Sequence, residues 1–193
     1  MGVSIMSSWI YALTNSAPWN KTTTDPNVLN NIQCAYDVFS NYMTDEACAG
    51  LLGNILWESY LNPGQGESGG GGLGLIQWTP HTALTDYVQQ PWYDGNNQCY
   101  FIIDDCNNVY GTRWIPTTLY NYSFADFCLM TDVTLATSTF MTCRERPNIA
   151  QSHLLERQQF ASEIYDIIKN LNPSIDDEFL VLAKHKKDVR KFT

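Results

Sequence analysis

Residues 49–63 read AGLLGNILWESYLNP, and this stretch decides the fold. Leu51, Leu52, Ile55 and Leu56 recur at helical spacing, while Gly50, Asn54 and Glu58 fall four apart on another stripe. Small, polar and acidic, that second stripe reads as a surface turned away from the core. It carries a carboxylate into the last turn of a buried helix, beside Trp57. Upstream, Thr44 is an N-cap residue, with Asp45 and Glu46 in the first turn, where negative charge meets the positive end of the helix dipole. Downstream, Asn62-Pro63-Gly64 cannot continue the helix. The spacing therefore predicts a helix from about 45 to 60 with Glu58 in its last turn.

Next comes GQGESGGGGLG, with seven glycines among residues 64–74. Composition alone fits a flexible linker. The run is followed at once by Leu75-Ile76-Gln77-Trp78, a short strand-like apolar segment, and by Thr79-Pro80, an N-cap pattern with proline at the first helical position. A loop pinned between a buried helix and a strand predicts a tight hairpin walling a cleft. Farther out, Val28, Ile32, Ala35, Tyr36 and Phe39 predict a helix to about Tyr42, preceded by a Thr-, Asn- and Pro-rich loop over 14–27. Pro80 to Tyr93 reads as a helix, 99–110 as helix or strand, and 124–143 as one or two helices. Leu155, Phe160, Ile164, Ile167 and Ile168 predict an apolar helix face. After Asn172-Pro173 the chain turns charged, and no internal repeat is present.

Composition narrows the function classes. The 193 residues are 44% hydrophobic and 13% aromatic, enough for a folded core over most of the chain. No apolar run is long enough to span a membrane, and the N-terminus lacks the basic start of a secretory leader. Residues 1–183 carry only six of the eleven basic side chains against nineteen acidic ones. A body this acidic is a poor nucleic-acid binder and is repelled by anionic wall polymers, so a wall substrate is reached by delivery. The six cysteines permit many pairings and lack zinc-finger spacing, which leaves free thiols and disulfides both open. No metal or organic cofactor is implied.

Glu58 carries the chemistry. The negative end of a helix and burial both disfavour an ionised carboxylate there, and a proton-carrying carboxyl is what a glycosidase uses on its leaving oxygen. Glu58-Ser59, then Asn62-Pro63, then a glycine-rich stretch into Gly72-Leu73-Gly74-Leu75-Ile76-Gln77-Trp78-Thr79-Pro80, resembles the lysozyme-like domain of phage tail-tip proteins. Arg144-Glu145-Arg146-Pro147 and Glu156-Arg157-Gln158-Gln159-Phe160-Ala161 are similar to the end of that domain. The Glu-Ser and Gly-x-x-Gln blocks also resemble soluble lytic transglycosylases and goose-type lysozymes.

The resemblance covers about residues 28–170. It implies a mainly α, lysozyme-like fold with a small Gly-rich β-hairpin along one side of the cleft, and cleavage of bacterial peptidoglycan during DNA entry. It divides the chain into an N-terminal extension (1–27), a catalytic domain (28–172) and a C-terminal tail or linker (173–193). It further implies a virion-tail location and contacts with other tail or tail-knob subunits, through a tail carrying Phe179, Leu182 and Val189 on one face.

Carried over by position, Glu58 is the catalytic acid, with Ser59, Asn62, Gln77 and Trp78 as substrate-side candidates. Gln77 points into the cleft, toward a sugar N-acetyl group or an attacking water. Trp78 stacks on a sugar or fills the core beneath, and Asn62 reads foremost as the turn residue that fixes Glu58. Glu67 is the only acid between Glu58 and Asp86, hence the candidate second carboxylate. Should Glu67 be idle, attack by the substrate's own hydroxyl gives transglycosylase chemistry with 1,6-anhydro products. Glu145, between Arg144 and Arg146, reads as an ionised salt-bridge partner.

Other classes fare worse. A thiol peptidase needs an activated Cys–His pair, and only His81, His153 and His185 exist. Zinc-peptidase motifs are missing. The rival that remains is a non-catalytic structural or glycan-binding tail protein on a lysozyme scaffold.

Overall fold

The computed structural model describes residues 8–16, 18–148 and 152–171. These form seven helices: α1 (Pro26–Phe39), α2 (Asp45–Ser59), α3 (Thr82–Thr85), α4 (Gly95–Cys106), α5 (Phe124–Cys128), α6 (Val133–Phe140) and α7 (Leu154–Leu171). A π-helical turn, Met141–Glu145, extends α6. Asp25 caps α1 by accepting from the Asn27 N–H, and Thr44, the N-cap the sequence predicts, caps α2 by accepting from that of Ala47.

The axis of the molecule is α2. All its residues from Ala47 to Leu56 are buried, the Gly50–Asn54 stripe included. The surface reading of that stripe is therefore corrected: it is a helix–helix seam, and a helix packed on every side is polar where a partner answers it. Asn54 donates to Gly50 O (2.8 Å) and to Thr137 O of α6 (3.1 Å). Glycine is required where helices approach this closely. A Cβ on Gly53 would lie 2.7 Å from both Ala161 Cβ and Arg157 O of α7. Gly53→Ala should therefore lose about 1–3 kcal/mol in denaturant unfolding, the overpacking exceeding the roughly 1 kcal/mol that alanine gains as a helix former.

On α7 the buried residues are Arg157, Ala161, Ile164 and Ile168, whereas Leu155 is 77% exposed. The face is rotated from the one expected, because close packing against Gly53 selects the small Ala161.

Within the N-terminal extension, the described residues Ile10, Ala12, Trp19 and Lys21 make contacts with the helices. Asn31 clamps the backbone of Ile10 from both sides (2.9 and 2.7 Å), and Asn62 does the same to Ala12 (3.0 and 2.8 Å). The Trp19 indole N–H donates to Tyr60 O (3.0 Å) and Lys21 Nζ to Trp57 O (2.6 Å), so this segment satisfies carbonyls at the C-terminal end of α2.

Two expectations downstream fail. Leu75–Gln77 form a turn instead of a strand: Leu75 N donates to Gln98 Oε1 of α4 (2.8 Å), and Gln77 takes φ 50°. Thr79-Pro80 starts no long helix, since Thr79 Oγ1 donates back to Gln77 O and α3 is only four residues long. The region 99–110, open between helix and strand, is helical as far as Cys106, in α4, which Asp94 caps, and turns at 107–110.

Candidate active site

Glu58 reaches solvent at the end of α2, where Tyr60 and Leu61 both take left-handed backbone (φ 60° and 57°) and turn the chain away. From there the glycine-rich segment folds back. Gln98 anchors it by donating to Pro63 O (2.7 Å), and bridges pair Gly66 with Leu73 and Leu73 with Trp78. Glu67 closes the loop twice: its N–H donates to Gly72 O (3.0 Å), and its Oε2 accepts from Gly72 N (3.1 Å). Glu58, Glu67, Gln77, Arg113 and the stretch Arg144–Pro147 surround a polar cleft of about 510 Å³. The cleft thus joins segments far apart in sequence.

The predicted site residues separate into two groups. Glu58, Glu67 and Gln77 meet in the cleft. Gln77 spends its amide N–H groups on Gly74 O (2.8 Å) and Gln65 O (3.3 Å), holding the strained turn that presents it. Trp78 borders the cleft but is 2% exposed, packs on Phe101 and donates its indole N–H to Asp105 (3.2 Å), which makes it part of the core. Ser59 and Asn62 are fully buried and lie off the cleft wall. Ser59 Oγ donates to Ile55 O (3.1 Å), and Asn62 Oδ1 accepts from Gly64 N (3.0 Å), so both shape the turn behind Glu58.

Beside Glu58 stands a residue that sequence reasoning missed. Arg157, 1% exposed, donates to Glu58 Oε1, to Asn54 Oδ1 (3.0 Å) and to Ser152 O (2.9 Å). Burial of the Glu58 region was expected to favour a proton on that carboxyl; instead a guanidinium meets it. A signal was available: Arg157, Ala161, Ile164 and Ile168 continue one helical stripe, with a lone cation at its head. Lys21 also senses the cluster, its ammonium pushed down by burial and partly restored by the Glu58 charge. Five of the six basic residues in 1–183 (Lys21, Arg113, Arg144, Arg146 and Arg157) gather at this cleft or at Glu58. An otherwise acidic body has concentrated its cations where its carboxylates converge.

Glu145 corrects another expectation. Arg144 gives its hydrogen bonds to buried Asp105 (2.6 Å), which Arg113 also approaches (3.5 Å). Glu145 Oε1 is sealed from solvent and has no hydrogen-bond partner among the described residues. Burial first, and then the Glu58 charge, push its carboxyl up to about 8, against the pull of Arg144 and Arg157. The folded chain therefore holds a proton that the unfolded chain releases at its ordinary value of 4.5, so this group lowers stability as pH rises from about 4.5 to about 8. Raising pH across that window should depress the unfolding midpoint of the wild type more than that of Glu145→Gln, measured by thermal melts at each pH.

None of the six cysteines is in a disulfide, and burial raises Cys34 and Cys128 each to about 11, far from reactive thiolates. Among the described residues no three His, Cys, Asp or Glu side chains gather as metal ligands, and no helix is long and apolar enough to cross a membrane.

A helical body with a glutamate at the end of its central helix, opposite a glycine-rich wall, is the arrangement that the resemblance to lysozyme-like domains implies. The family model for phage tail lysozyme matches residues 30–168, and the chain belongs to that family. It is a peptidoglycan-lytic, phage tail-associated protein.

Proposed function

We propose that this protein is a muramidase: it cuts the glycan strand between N-acetylmuramic acid and N-acetylglucosamine while the tail penetrates the wall for DNA entry. The reading rests on Glu58, a carboxyl at the end of α2 facing a polar cleft, with Arg157 fixing its direction. Protonation of the glycosidic oxygen by Glu58 lets the C–O bond break, with the electron pair leaving on that oxygen. Water then captures the sugar cation. Gln77 is placed to orient the N-acetyl group or that water. The catalytic unit runs over 28–172, steadied by the segment from Ser8 onward, and the tail joins neighbouring tail subunits. Residues 172–193, with Phe179, Leu182 and Val189, lie outside the described residues.

Mass spectrometry of digested, purified peptidoglycan tests the reaction type. Reducing muropeptides are expected. Products lighter by one water would mean internal attack by the muramyl hydroxyl, hence a lytic transglycosylase. An undigested wall would favour a structural or glycan-binding tail protein.

A further inference from the structure

Glu145 ends the π-helical turn that follows α6, a local geometry that often marks functional positions, and it shares the cleft with Glu58. Four charged groups act on it: Glu58 from α2, Asp105 from α4, Arg144 from its own turn and Arg157 from α7. None supplies a hydrogen bond to Oε1. A sealed carboxyl oxygen without a partner is unfavourable as pure scaffolding. After burial, the Glu58 charge is the largest influence disfavouring an ionised Glu145. Glu67 offers none of this: it is exposed, and its carboxylate is engaged in closing its own loop.

Resting on the glycan-cleavage reading above, we propose that Glu145, in place of Glu67, is the second carboxyl of the reaction. It holds the proton of the pair in the free enzyme and relays it within the cleft to Glu58. In the relay the Glu145 O–H bond breaks and a Glu58 O–H bond forms, so the negative charge passes to Glu145. Glu58 then gives the proton to the leaving glycosidic oxygen as the C–O bond breaks. The water that captures the sugar cation returns a proton to the pair, which closes the cycle. Glu145 is thus a positioning residue, acting on the proton of Glu58 without touching the sugar.

The test is the pH profile of peptidoglycan clearing by the full chain, from about pH 4 to about pH 9. The wild type should lose activity on the alkaline side as Glu145 gives up its proton near 8. Glu145→Gln can neither hold nor relay a proton. Its rate at neutral pH should fall about 10²-fold and recover on acidification, moving the optimum to lower pH. Glu145→Asp should restore most of the neutral rate and the alkaline limb. Glu67→Gln should keep the wild-type optimum.

A Glu145→Gln profile of wild-type shape, whether or not uniformly lowered, overturns the proposal, and so does an optimum shifted by Glu67→Gln. If circular dichroism shows that Glu145→Gln does not fold, Glu145→Asp decides: loss of its alkaline limb overturns the proposal, and its presence supports it. A wild type that clears peptidoglycan and depends on Glu58 while Glu145→Gln leaves the optimum in place sinks this inference alone. Clearing that is indifferent to Glu58 sinks the underlying reading.

Discussion

Replacing Glu58 with Gln should lower glycan cleavage by at least about two orders of magnitude while leaving the fold intact. General acid catalysis contributes about 10²–10⁴-fold, and the amide cannot deliver a proton. The fold should survive because Gln keeps the length of the side chain and an oxygen that can still accept from Arg157, the donor that meets Glu58 Oε1 in the wild type. Zymography and turbidity clearing measure the loss, and circular dichroism checks the fold. Near-wild-type lysis by this variant would refute the enzymatic reading at its root.

Arg157→Met should cost about 3–5 kcal/mol of stability, the largest structural effect expected in the molecule. Methionine fills much of the same volume, so the loss is electrostatic and polar in origin. Glu58 is left beside α7 without its counter-charge, and Asn54 Oδ1, fully buried, loses its donor. The ion pair spans α2 and α7, so the same change should loosen the helix seam and let the Glu58 carboxyl swing. Activity should fall with it, even at temperatures where the variant is folded. Denaturant unfolding and clearing assays run in parallel separate the two effects. A variant with wild-type stability would mean that Arg157 is not the partner that fixes Glu58.

Much of the scaffold was legible in the sequence because local chemistry dictated it. Thr44 caps α2 through its own side chain, and Asn62-Pro63 bars the helix from continuing, the turn itself falling at left-handed Tyr60 and Leu61. The strand reading of Leu75–Gln77 and the long helix after Thr79 failed for a common reason. Short apolar runs take the conformation that distant partners impose, here Gln98 on the Leu75 N–H and Pro63 O. Nothing within five residues of Leu75 could have announced Gln98.

The site divides in the same way. The sequence by itself determined that a glutamate ends a buried helix opposite a glycine-rich loop, because helix periodicity, capping and termination are properties of neighbouring residues. Only the tertiary structure decided the electrostatics. Arg157 lies 99 positions from Glu58, and Arg144 prefers Asp105 to the adjacent Glu145. Charges act through space and through the local exclusion of water, and neither quantity is a function of sequence separation. Arg144 and Arg146 were therefore expected to keep Glu145 ionised, whereas packing sealed one of its oxygens and burial, then the Glu58 charge, pushed its carboxyl up to about 8.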